Sequence, residues 1–276
     1  MKKRALTIAG SAARGGAGIQ ADIKTFQELD VYGVAAITAF VAKHPETNQG
    51  IFPQSVEAIE AQIHTMLTDI GCDALKTGML FTEEIIEAVA WQIDQSGVSS
   101  IVIDPVMIGK MGSKLLKDDA IQALKANLLP QATIMTPNMY EAAYLLNEPL
   151  DALQEEVDLI DAARRLHTYG SQYVLVKGGR LDGPAVDILY DGQSLYRYVA
   201  PRIDTIHTNG AGCTYSAAIT AELAKGKPIT EAVLIAKRFI TAGIVHAVPY
   251  LNGPGPTDHA AYRKFGEQTV YMEEIL

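Results

Sequence analysis

Cysteine is scarce in this chain: Cys72 and Cys213 are the two in 276 residues. Two thiols cannot build a disulfide framework or a cysteine metal cluster, which excludes a stapled mini-scaffold and a zinc-ribbon module. Positive charge is short as well. With 23 Lys and Arg against 32 Asp and Glu, the net charge of −9 argues against nucleic acid or an anionic membrane as partner. It leaves room for a local basic site that holds a small phosphate compound. Long apolar runs are absent: nothing approaches about 18 uninterrupted apolar residues. The run after the basic MKKR start, ALTIAG, is too short for a signal-peptide core. No repeat, low-complexity tract or linker-like shift divides the chain. The expectation is a soluble, cytoplasmic protein with one domain over residues 1–276 and an ample core.

What is present alternates. RALTIAG (4–10) reads as a buried strand, and AGIQADIKTFQELD (17–30) sets Ile19, Ile23 and Phe26 on one helix face. YGVAAITAFVA (32–42) is a second strand. SVEAIEAQIHTMLTDI (55–70) spaces Val56, Ile59, Ile63, Met66 and Ile70 by three and four, the clearest helix in the chain. DALKTGML (73–80), SIVIDPVM (100–107), ATIMTPN (132–138) and QYVLVKGG (172–179) each end an apolar run in or next to Gly, Pro or Asn. Residues 184–200 place two β-rich runs around Asp191-Gly192, a hairpin signal, and helical segments follow at 211–225 and 230–247. The pattern predicts an α/β fold: a mostly parallel central sheet with helices on both faces and an added β-hairpin.

In such sheets the ligand sits beyond the carboxyl ends of the strands. Here those ends carry GSAARGGAG, KTGML, DPVMIGKMG, TPN and KGG. GSAARGGAG fails as a Walker loop, because Gly16 stands where Lys is required, and its G-x-G-x-x-A match is weak for a dinucleotide. Asp104 emerges from an apolar strand, and Asn138 with Glu141 opens a helix just past another. Either an N-terminal capping box or a hydrated Mg²⁺ explains that Asn and Glu. Lys177 before two glycines suits a phosphate or a solvated turn. Gly210, Ala211 and Gly212 leave amides free at a helix start, an anion site next to Cys213. In that field Cys213 is expected to be more acidic than a free thiol; a packed helix-start residue is the plain alternative.

The collinear set LTIAGSAARGGAGIQADIKTFQEL, DALKTGML, VIDPVM, TPNMYEA, VKGGR and GAGCTYSAAITAELAKG resembles the ribokinase superfamily. The likeness is to its branch of hydroxymethylpyrimidine (phosphate) kinases and pyridoxal kinases, and it covers essentially the whole chain. The resemblance implies a ribokinase-like fold and phosphoryl transfer from Mg-ATP to a hydroxymethyl group on a small aromatic ring. It implies Cys213 as base beside the anion hole of Gly210, Ala211 and Gly212, with Lys177 on the phosphates. Asn138, Val176, Lys177, Gly178, Gly179, Arg180, Asp187 and Gly212 fall on its ATP side. Asp104, Asn138 and Glu141 fall at its Mg²⁺, with a monovalent cation as an optional addition. Gly10, Gly18, Met79, Val106 and Cys213 match its ring pocket, and a homodimer is the family habit.

The departures bear on substrate. Ala12, Ala13 and Arg14 replace a polar trio, Ile108-Gly109-Lys110 leaves no lid cysteine, and Asn209 stands where His is common, with His207 two positions earlier. In FVAKHPETN, Lys43 occupies the place of the Gln that pairs with an aminopyrimidine edge in similar pyrimidine kinases. An ammonium has no acceptor for that amino group. Pyridoxal is therefore the expected substrate, the pyrimidine the alternative, and a non-catalytic ligand-binding protein the reading from another class.

Overall fold

Strands that read as unbroken apolar runs need cover on both faces. The computed structural model describes residues 1–47, 50–108 and 115–275. Its strands are β1 (Arg4–Ala12), β2 (Tyr32–Val41), β3 (Ile51–Pro53), β4 (Ala74–Thr77), β5 (Ile101–Ile103), β6 (Ile134–Met135), β7 (Tyr173–Gly178), β8 (Ala185–Tyr190), β9 (Leu195–Ala200) and β10 (Tyr271–Glu274). Among the described residues they form one sheet in the order β10-β9-β8-β7-β6-β5-β4-β1-β2-β3. The run from β7 to β2 is parallel, and both flanks are antiparallel.

The helices are α1 (Ile19–Glu28), α2 (Val56–Thr65), α3 (Glu83–Ser96), α4 (Asp118–Ala123), α5 (Met139–Leu145), α6 (Glu156–His167), α7 (Ala211–Ala224), α8 (Ile229–Val245) and α9 (Ala261–Phe265). Strand periodicity divides the core into two layers. Leu6, Ile8, Leu75, Ile103 and Val176 face α2, α3 and α6, whereas Ala5, Ala74, Val102 and Leu175 face α1, α7 and α8. Helix α7 is buried all round, and its Ala217, Ala218 and Ala221 admit the close approach of its neighbours.

The α/β expectation is borne out, hairpin included. β8 and β9 pair around Asp191, whose Oδ1 accepts the N–H groups of Gln193 and Ser194 at 2.8 and 2.6 Å. Differences lie where long-range pairing decides. The helix read to residue 70 ends as a π turn, Met66–Ile70. β10 is exposed at all four positions and carries no apolar alternation; it exists through its pairing with β9. β3 is three residues long, and α3 and α6 fill segments that the sequence reading leaves unassigned. Asn48 of the Lys43 loop and Gly109 and Lys110 of the loop after Asp104 lie outside the described residues.

Candidate active site

The strand order reverses at β1, which has β2 on one side and β4 on the other. Loops leaving β1 and β4 diverge there and open a crevice. A register shift between Ala9 and Ser11 bulges β1 at Gly10, and a methyl on Gly10 would come within 2.9 Å of Met79 Cε. Gly18 closes the loop at φ 60°, where a Cβ would lie 2.0 Å from the Gly10 carbonyl oxygen. Gly10, Gly18 and Met79, the positions that the resemblance implies for a ring pocket, therefore meet. The loop then locks onto α7: Gly210, at φ 73°, packs so closely that a Cβ would fall 1.7 Å from Gly16 O. Only glycine satisfies both the backbone angle and the space.

Gly210 caps α7 without a side-chain bond. Ala211 N–H donates to Thr208 O at 3.3 Å, and among the described residues the Gly212 and Cys213 amides have no acceptor. The positive end of the helix dipole adds to them. Lys177 Nζ stands over this turn, 3.4 Å from where a Gly212 Cβ would sit. An ammonium and free amides thus converge on one point, a seat for an anion.

Behind it lies a buried polar cluster. Asp104 Oδ1 accepts from Lys177 Nζ at 2.9 Å and from Thr136 Oγ1 at 3.1 Å, while Oδ2 accepts from Ser216 Oγ at 3.2 Å. Burial opposes the charge on Asp104, but Lys177 and Lys76 outweigh it and hold the carboxyl below its ordinary value. Burial also opposes the charge on Lys177, and Asp104 and Glu141 hold it above its own. Asn138 and Glu141 do form a capping box: Asn138 Oδ1 accepts from Glu141 N at 3.0 Å, and Glu141 Oε2 from Asn138 N at 2.8 Å. Burial pushes the Glu141 carboxyl up to about 8, opposed by Lys177 and reinforced by Asp104.

Cys213 corrects an expectation. The Lys76 ammonium and the Gly18 N–H favour the thiolate at its half-buried Sγ, yet burial dominates and pushes the thiol up to about 11. The helix-dipole argument for an acidic thiol omitted desolvation, which is the larger effect here. Lys76 itself sits in β4 beside Thr7 of β1. Its Nζ donates to Asp22 Oδ1 at 2.9 Å, and Thr7 Oγ1 donates to Asp22 Oδ2 at 2.6 Å.

A family model described as phosphomethylpyrimidine kinase matches residues 13–258. The chain belongs to that family. It is 48% identical to the pyridoxine kinase of Bacillus subtilis over 264 residues, 94% of this chain and 97% of the relative. It is 43% identical to the hydroxymethylpyrimidine/phosphomethylpyrimidine kinase of the same organism over 263 residues, 95% and 96% of the two chains. The fold matches that of the pyridoxal kinase of Staphylococcus aureus in complex with AMP-PCP and pyridoxal, with a TM-score of 0.91 and 40% identity over the whole of both chains. The expectation of a ribokinase-like kinase is borne out.

Among the family's implied ATP-side positions, several serve as scaffold. Val176 is fully buried in the core. Asp187 does not face the cleft with a free oxygen: Oδ1 accepts the Gly178 N–H at 3.0 Å and Oδ2 pairs with Lys237 Nζ at 2.5 Å. Asp187 thereby supports the strand that carries Lys177. Gly179 O accepts from Arg202, whose guanidinium also binds the carbonyls of Leu181, Gly183 and Pro184 and so shapes the loop. Arg180 lies over the Tyr140 ring at 4.4 Å. Val106 is half-buried beside Asp104, and Lys43 is exposed two residues past β2.

The departures find causes. Arg14 points away from the pocket, with its guanidinium 5.3 Å above the Tyr250 ring and one nitrogen donating to Asn252 O at 2.9 Å. It ties the glycine loop to the segment near Pro256. His207 Nδ1 accepts the Gly255 N–H at 2.9 Å and braces that same segment, so it does not take the place of a histidine at position 209. Sequence reasoning missed Lys76, Asp22, Thr136, Ser216 and Arg202. One signal was available: Lys76 interrupts an apolar strand at a position that faces the core.

Proposed function

We propose that this chain is an ATP-dependent pyridoxal kinase that phosphorylates the 5′-hydroxymethyl group. One observation carries the reading: Lys177 Nζ and the free amides of Gly212 and Cys213 meet at the start of α7, while Cys213 Sγ reaches Gly18 of the ring pocket. Phosphoryl transfer needs positioning and charge neutralisation above all. In the proposed step the substrate oxygen bonds the γ-phosphorus as the bond to the β–γ bridging oxygen breaks. ADP leaves with that electron pair, and the hydroxyl proton passes to the thiolate form of Cys213. Lys177 and the two amides balance the charge on the transferring group.

The donor set fits Mg²⁺. Asp104 and Glu141 are buried carboxylates that share one ammonium, Lys177, and burial, with Asp104 adding to it, holds Glu141 up at about 8, so a cation placed between them would be favoured. When bound, Mg²⁺ would neutralise phosphate charge between ATP and these two side chains, with Asn138 holding Glu141 in place. A cytoplasmic homodimer completes the reading. The pyrimidine remains the second reading, because the 43% identical relative is named for it.

ADP release with Mg-ATP separates the two substrates. Turnover on pyridoxal with at least about tenfold higher kcat/KM than on hydroxymethylpyrimidine is the expected outcome, a difference of about 1.4 kcal/mol. The reverse order would keep the fold and move the chain to the pyrimidine.

A further inference from the structure

A lysine buried inside a strand demands an explanation. The Lys76 and Asp22 side chains are both 0% exposed, and a buried ion pair is often no more stable than an apolar pair of the same size. Packing alone gives no reason for it. Its position does: Lys76 lies on the face of β4 that packs under α1 and α7, with Asp22 on α1 and Cys213 in the first turn of α7. Among the described residues, Asp22 is the one hydrogen-bond acceptor of Lys76 Nζ. An ammonium has three donors, so two remain, and its charge acts on Cys213 and Asp104. Thr7 Oγ1, donating at 2.6 Å, fixes the second Asp22 oxygen and with it the direction of the first.

We infer that Lys76, clamped by Asp22, is the fixed counter-charge beneath Cys213 and the positioning residue that allows the sulfur to take up the hydroxyl proton. The inference rests on the proposed role of Cys213. The charged groups that face this sulfur are Lys76 from β4, Asp22 from α1, Asp104 after β5 and Lys177 from β7. Burial works to discharge Lys76, whereas Asp22, Cys213 and Asp104 hold its proton. Lys76 favours the thiolate and Asp22 opposes it, so removing the two charges has effects of opposite sign. A purely structural pair would respond in the same direction to either loss.

The test uses the full chain carrying Cys72→Ala, which leaves one thiol; Cys72 is remote, donating to Ala74 O at 2.9 Å. Alkylation by iodoacetamide at fixed pH reads the thiolate fraction of Cys213 directly. Lys76→Gln is expected to slow alkylation on the order of tenfold, as loss of one nearby unit charge implies. Asp22→Asn keeps an acceptor oxygen for Lys76 and turns its NH2 toward Thr7, whose hydroxyl can accept, and it is expected to speed alkylation several-fold. Equal alkylation in all forms, or slowing in both variants, would overturn the inference. If Lys76→Gln does not fold, Asp22→Asn decides alone, and anything but faster alkylation refutes it. Values of kcat/KM for pyridoxal that follow the same order support both readings. Alkylation that shifts as stated while turnover does not follow leaves the counter-charge standing and removes Cys213 as proton acceptor.

Discussion

Glu141 shows how one side chain can be both a helix cap and a site residue. The capping box fixes its carboxylate against the Asn138 amide, and burial then holds the proton on up to about 8. A cation must displace that proton, so Mg²⁺ binding is coupled to pH. The KM for Mg²⁺ is expected to fall by up to about tenfold per unit as pH rises from 6 toward 8, and to level off above it. Glu141→Gln should flatten that dependence; a flat profile in the unaltered enzyme would place the cation elsewhere. At this scale, residues at strand ends were legible: Asp104, Asn138, Glu141 and Lys177 stand where a polar group interrupts an apolar run. Lys76 and Asp22 were not, since each lies inside an element and acquires meaning only once β4 and α1 are packed. Cys213 does stand in the first turn of α7, and its acidity was misjudged, because burial cannot be read from the glycine turn around it.

Elements cooperate through backbone contact at the crevice. The loop after β1 and the start of α7 touch at Gly16 and Gly210 with no room for a side chain. Gly210→Ala would carry about 1–2 kcal/mol of left-handed strain before any collision is counted. The expected fall in Tm is at least about 3 °C, with a larger proportional loss of kcat, because the free amides tilt away from the phosphate. Unchanged melting and turnover would mean that the two loops are not locked together. Most of the sheet was legible from apolar runs and their Gly, Pro or Asn endings. β3 and β10 were not: a three-residue strand and an exposed one owe their form to partners distant in sequence. The segment around Gly255, braced by Arg14 and His207, was likewise invisible, since nothing in its composition marks it as a partner of the glycine loop.

For the whole molecule, two half-cores share one sheet, and a buried histidine couples their stability to pH. His259 is buried against Thr214 of α7, 3.1 Å from its hydroxyl, and burial, helped by Lys24, holds its pKa down to about 4 from 6.5. The folded state disfavours the protonated ring, so the unfolded chain binds more protons between these values. Stability is therefore fully present above 6.5 and is lost as pH falls through about 4. Thermal melts from pH 8 to 4 should show that loss, and His259→Gln should remove part of it; an identical slope in the variant would assign the acid sensitivity to other groups.

The central claim is that a phosphoryl group and a substrate hydroxyl meet at the first turn of α7, with Cys213 taking the proton. Steady-state ADP release with Mg-ATP and pyridoxal, compared between the unaltered chain and Cys213→Ala, tests it most directly. A fall in kcat of about 10²-fold or more, with the variant still folded, is the predicted result. Turnover of the variant at the unaltered rate would contradict it and send the proton to another group.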